Sequence, residues 1–155
     1  MLKIDTLRAA IEKANTWCRA NPEAWTVFVE EGGIETTGET PSFMYRYSLV
    51  LFVMNYAGSI DDFTLPLMAW LWFNQPDLLL NPDKNQQIKF TTLINNDDTA
   101  DLMFELPVSQ RVLVHLDENG VPCAEHLPEP RPRVLAPHAA GWGLVFEGML
   151  QEGGA

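Results

Sequence analysis

Cysteine is nearly absent from this chain. Two thiols in 155 residues, Cys18 and Cys123, cannot make a disulfide framework. They read as reduced cysteines of a cytoplasmic protein. Basic residues are scarce as well, with ten Lys and Arg against 21 Asp and Glu, a formal net charge of −11 and a pI near 4.5. Such a chain repels phosphate, which disfavours tight nucleic-acid binding but not DNA sliding past unheld. No charged stretch leads into an apolar core at the N-terminus, so no secretory signal is expected. No apolar run approaches the roughly 20 residues that span a bilayer, so no membrane association is expected. Internal repeats are lacking too.

Chemistry is equally thin. The three histidines, His115, His126 and His138, are scattered and lack the spacing of a helical metal pair. His115 and Asp117 share one side of a strand, which reads as a surface pair. Asn95-Asn96-Asp97-Asp98 is rich in oxygen ligands but lacks the glycine and distant glutamate of a calcium loop, so it reads as a turn. Gly32-Gly33 and Gly141-Trp142-Gly143 lack the strand–GxGxxG–helix setting of a dinucleotide site. Neither cysteine has a histidine near it in sequence, so nucleophilic catalysis has no visible support. Asp61 and Asp62 are accounted for as a helix cap. No catalytic, cofactor or metal site is expected.

What is present is apolar: 46% of the residues, with five Trp and eight Phe, enough in one domain of this length for a sizeable core. The densest stretch runs from Ser59 to Asp77. Ser59, Asp61 and Asp62 supply N-cap oxygens and negative charge, and Pro76 stops the helix. Pro66 is tolerable if the helix starts near Asp62, inside the first turn. Phe63, Leu67, Trp70 and Leu71 share one face, while Leu65, Met68 and Trp72 occupy others. A helix apolar all round is buried all round, and a chain this small covers one face with its sheet. The surplus points to an assembly protein.

Around this helix the pattern is α+β. Leu7, Ala10, Ile11, Ala14, Trp17 and Cys18 recur at helical spacing, with Asp5 as cap and Asn21-Pro22 as stop. Trp25–Glu30 reads as a short strand broken at Gly32-Gly33, followed by a polar loop. Phe43–Asn55 is the longest strand. Its odd positions line one face, and its even positions turn apolar at Val50, Phe52 and Met54, as in a strand covered twice along half its length. Leu78–Asp83 reads as a loop. Ile88–Asn95 and Ala100–Leu106 form a hairpin, and Pro107 marks a bulge or an edge before Arg111–Asp117. Glu118-Asn119-Gly120 is a turn into Val121 and Pro122. The expected fold is a mixed, mostly antiparallel sheet packed by two helices. The domain spans residues 1–127, and residues 128–155 form a Pro-rich linker and tail. Four prolines between Pro128 and Pro137 favour an extended linker. Beyond them Trp142, Leu144, Val145, Phe146, Met149 and Leu150 make an apolar tail that must return to its own sheet or dock on a neighbour.

Several of these segments resemble the tail completion protein R family of contractile-tailed bacteriophages. The similarity lies in Met1-Leu2-Lys3, Asp5-x-Leu7-Arg8, Asn21-Pro22 and Arg46-Tyr47-x-Leu49. It is sharpest at Leu65-Pro66-Leu67-Met68-Ala69-Trp70-Leu71 and Asn74-Gln75-Pro76-Asp77. Asp83, Lys89-Phe90, Ile94-Asn95-Asn96-Asp97 and Arg111-x-Leu113-Val114 continue it, covering about residues 1–117; the Pro-rich stretch also looks similar. Trp72-Phe73 depart from the family, which more often has charged residues there, and the segment after Pro137 matches poorly.

The resemblance implies a virion protein without catalytic residues, at the head-proximal end of the tail after assembly in the host cytoplasm. It implies a terminator-like α+β subunit, commonly in hexameric rings, that caps the tube and presents a surface for the head. Expected partners are further copies of itself, the tail tube with the sheath, and a neck or connector protein. DNA would cross the lumen without specific binding, repelled by like charge within a Debye length. Subunit contacts are expected at Phe63, Met68, Trp72, Phe73, Trp142, Leu144 and Phe146. A ring needs two unlike patches, here the helix from Asp62 to Asn74 and a strand surface or edge around Phe43–Asn55 or Arg111–Asp117. Residues 138–151 are expected to pack on an adjacent subunit or neck protein. The alternative is a cytosolic binding module or small enzyme with an unrecognised site, which a small-molecule shift in Tm would favour.

Overall fold

The computed structural model describes residues 2–130 and 137–151. Helix α1 (Leu2–Ala14) is followed by the single turn α2 (Thr16–Ala20), capped by Asn15, whose Oδ1 accepts the Cys18 N–H at 3.1 Å. The N-terminal helix thus begins three residues before Asp5 and breaks at Asn15. Leu7, Ala10 and Ile11 of α1 are buried together with Cys18 of α2.

The sheet is built from β1 (Trp25–Thr36), β2 (Phe43–Tyr56), β3 (Lys89–Ile94), β4 (Ala100–Leu116) and β5 (Pro122–His126). Its order is β1-β2-β4-β3, with β5 also on β4, and every pairing is antiparallel rather than mixed. Between β2 and β3 come α3 (Asp61–Asn74) and α4 (Pro76–Leu80), the latter where a loop was expected. Pro76 occupies the first turn of α4, where its missing N–H costs nothing. Helix α5 (Pro137–Gln151) closes the described chain. No helix among the described residues is long and apolar enough to cross a membrane.

Three local readings are corrected. Gly32-Gly33 does not end β1: a bulge between Glu30 and Gly32 absorbs one residue, with Glu31 at φ 50°, and pairing with β2 resumes to Thr36. Pro107 does not interrupt β4, which runs on through it opposite Ser48. The Ser109 N–H and Arg111 C=O both bond outward, away from β2, so Pro107, in phase with them, lacks its N–H on that same outer side. There β3 has ended and β5 has not begun. Pro66 sits in the second turn of α3 rather than the first, because the helix already starts at Asp61.

The core lies between one sheet face and the helices. Leu49, Leu51 and Val53 of β2 with Leu102, Phe104 and Leu106 of β4 meet Leu7, Ile11, Phe63, Leu67, Trp70 and Leu71. Trp17, Tyr56 and Phe63 pack edge to face, with Tyr56 and Phe63 centroids 4.8 Å apart. The approach of the Tyr56 ring is fixed by its hydroxyl, which donates to Asp62, and by Gly58. A Cβ on Gly58 would stand 2.7 Å from the Tyr56 oxygen.

Candidate functional site

The α3 signature divides into a core half and a covered half. Phe63 and Trp70 lie fully inside the subunit. Trp72 is only 6% exposed because α5 of the same chain lies over it, its ring 5.6 Å from Phe146. Gly143 permits that approach: a Cβ there would meet the Trp72 indole at 3.2 Å. The apolar tail, expected on an adjacent subunit or neck protein, is therefore a helix lying over α3 of its own subunit, while most of the expected extended linker, residues 131–136, lies outside the described residues. Its apolar residues 142, 145/146 and 149/150 recur at helical spacing, with Pro137 at its start. Met68 is half-buried against the core, and Phe73 is half-buried beside Lys3, Asn74 and Glu129. Trp142, 53% exposed, and Leu144, 77% exposed, point away.

The motif Asn74-Gln75-Pro76-Asp77 is a brace. Gln75, 2% exposed, accepts the Ser109 N–H at 3.2 Å and the Lys3 ammonium, while its amide donates to Asp77 at 2.6 Å. Lys3 also donates to the Ser109 carbonyl and pairs with Glu129 at 3.0 Å. These groups satisfy the stretch of β4 that neither β3 nor β5 reaches. Burial pushes the Lys3 ammonium below its usual range against the pull of Glu129. Asp77 is held below the usual carboxylate range; desolvation opposes this, but hydrogen bonds from Lys84 and Gln75 outweigh it. Burial pushes the Cys18 thiol up to about 12, an inert thiol rather than a nucleophile. Among the described residues no three His, Cys, Asp or Glu gather as metal ligands.

Uncovered apolar surface lies mainly on the sheet. The face without helices carries Phe28, Val50, Phe52 and Met103, with Met54 and Leu93 beside them; the register sets Phe28 against Val50 and Phe52 against Met103. Val50 is fully buried, whereas Phe52 is half-buried and Met54 exposed, so the double covering expected along β2 does not extend past Val50 among the described residues. Strand β2 is paired on both sides and offers no edge. The free edges belong to β1, β3 and the short β5, each paired on one side only. All six residues of β3 are exposed, including Phe90 at 63%, Leu93 at 64% and Ile94 at 80%. The sequence marks this strand by apolar residues on both faces with no proline or charge after Lys89, a pattern that a strand buried in a sheet would share.

The family profile of P2 phage tail completion protein R (GpR) matches residues 1–130. The chain is 36% identical over 135 residues to "Tail completion protein R" of Escherichia phage P2, covering 85% of this chain and 86% of that protein. No solved structure matches significantly. With its signature helix, its Gln75 brace and a match over most of its length, this chain belongs to the P2 phage tail completion protein R family.

Proposed function

We propose that this subunit forms a hexameric ring of identical copies that caps the tail tube at its head-proximal end and presents a surface for head joining. The observation that carries the reading is the apolar surface left open on a member of a tail completion family: the helix-free sheet face, the β3 edge and the outer side of α5. Contiguous apolar patches of this kind mark protein contacts. Met68, Phe73, Trp142, Leu144 and Phe146 remain candidates for contacts with neighbours, whereas Phe63 and Trp72 would act from inside by shaping α3 and seating α5. The tube, the sheath and a neck protein are the remaining partners. The protein performs no catalysis and holds no cofactor in this role.

Acidity suits the same place. About eleven excess negative charges per copy would face the lumen and rim, where they keep DNA from adhering. Their mutual repulsion opposes closure, so added salt should strengthen the ring. Electron microscopy of tails made with and without this chain tests the reading: loss of the head-proximal cap and of head joining is expected, and unchanged tail ends would overturn it.

A further inference from the structure

Four strands lie along the main path of the sheet, and they alternate in direction from β1 to β3. A second copy placed head to tail therefore brings its β1 antiparallel to β3, continuing the alternation. The two edges differ in where they are open. The proximal half of β1 is guarded: the Arg8 guanidinium donates to the Val27 carbonyl at 3.3 Å, and the bulge at Glu30–Gly32 with Glu31 follows. The distal half, Gly32–Thr36, is exposed with no such cover, and so is the whole of β3.

Resting on the ring reading above, we infer that β3 of one copy pairs antiparallel with residues 32–36 of the next, with Phe90 opposite Ile34. Three features agree in this register, the first two fixing its parity and the third its offset. Backbone phase comes first. Lys89, Thr91 and Leu93 pair with the outward-facing residues Glu105, Met103 and Asp101 of β4, which leaves Phe90, Thr92 and Ile94 to direct their N–H and C=O groups outward. Past the bulge, Gly32, Ile34 and Thr36 are the outward residues of β1. Face comes second: Phe90 stands opposite core residue Phe104 and Ile34 opposite Tyr45, so both project on the helix side. Beside Ile34 that side is an open groove lined by Val29, Tyr45, Tyr47 and His126, a seat for the Phe90 ring. Charge is the third, because the register sets Lys89 across from Glu35. The Gly32-Gly33 pair, with no side chains to obstruct, suits close approach of a second backbone. Such a contact joins unlike patches, as a closing ring requires.

Engineered disulfides test the seam in full-length chain carrying Cys123→Ser, Cys18 being buried. Gly33→Cys with Thr91→Cys places a thiol pair at a non-hydrogen-bonded position, where opposed Cα atoms lie about 4.5 Å apart, within disulfide reach. A Cβ on Gly33 meets nothing closer than 4.0 Å, so the fold accommodates it. Oxidation of the doubly substituted chain should give a ladder of dimers, trimers and larger species on non-reducing gels; mixed single variants should give dimers alone. Lys89→Cys with Glu35→Cys, in the same register, should repeat the ladder. Dimers of Thr91→Cys by itself would show β3 pairing with its own copy and overturn the seam. No ladder from either pair, with sixfold density intact at the tail end, would overturn the seam and leave the ring. No ladder and no ring would remove both.

Discussion

The free edges of β1 and β3 in this sheet are built by opposite rules. The proximal half of β1 carries an arginine cap, a bulge and two glutamates, the devices by which a strand avoids unwanted pairing. Strand β3 carries none of them after Lys89 and exposes three large apolar side chains in six residues. A third stretch of edge, on β4 around Ser109, is covered from within by Gln75 and Lys3. One sheet thus guards one stretch of edge, plugs another and leaves β3, the distal half of β1 and the outer side of the short β5 open. The difference teaches where to look for a neighbour: among the stretches left open, β3 carries the largest apolar side chains.

The largest expected effect comes from closing the open edge. Phe90→Lys with Ile94→Lys should abolish tail-cap assembly while leaving the isolated subunit folded, within about 0.5 kcal/mol by denaturant unfolding, since both sites are exposed. Loss of fold in that variant would erase the contrast between the edges. Next is Trp72→Ala, which separates the open edge from the buried helix. It should cost roughly 3–5 kcal/mol of subunit stability, because the indole is buried beneath α5. A folded, equally stable variant that fails only in assembly would move the contact back to α3.

The plugged edge should respond less. Gln75→Ala leaves the Ser109 N–H without its partner at a covered site, for a loss of about 1–3 kcal/mol. Thermal unfolding would report it, and amide exchange at Ser109 should accelerate. Arg8→Ala should cost less than about 1 kcal/mol, the arginine being exposed, but should make β1 more prone to self-association in light scattering. The smallest effect is one of pH. Asp77 has a lowered folded-state pKa, so its contribution is present above its unfolded value near 3.9 and is lost as pH falls through the folded value. Asp77→Asn should flatten the acid limb of the stability curve below about pH 4; an unchanged limb would mean that the Asp77 carboxylate, with its Lys84 and Gln75 bonds, adds nothing to stability.

The contrast between β1 and β3 was only partly legible beforehand. Ile88–Asn95 reads correctly as a strand from its residues, but nothing local tells an edge from a centre. That distinction depends on which strand lies alongside, and β4 separates β3 from β2 by pairing with both. Pro107 was legible as an edge position but not as part of a continuous strand, because its cost depends on whether a partner needs its N–H, and here none does. The apolar residues after Pro137 were expected on an adjacent subunit or neck protein, because nothing in their own stretch names what covers them. Their helical spacing gains meaning once Trp72 is there to receive it.

By itself the sequence determined the α+β class, the long central strand, the buried helix with its two stops, the hairpin turns and the family. Each follows from local chemistry: periodicity, capping, proline and glycine geometry, and a specific motif. Only the tertiary structure decided that Asn74-Gln75-Pro76-Asp77 is a brace, that Trp72 is covered from within, and that β3 stands open. Burial and edge status are relations between segments far apart in the chain. No stretch of sequence carries them until the backbone hydrogen bonds and apolar faces have been assigned their partners.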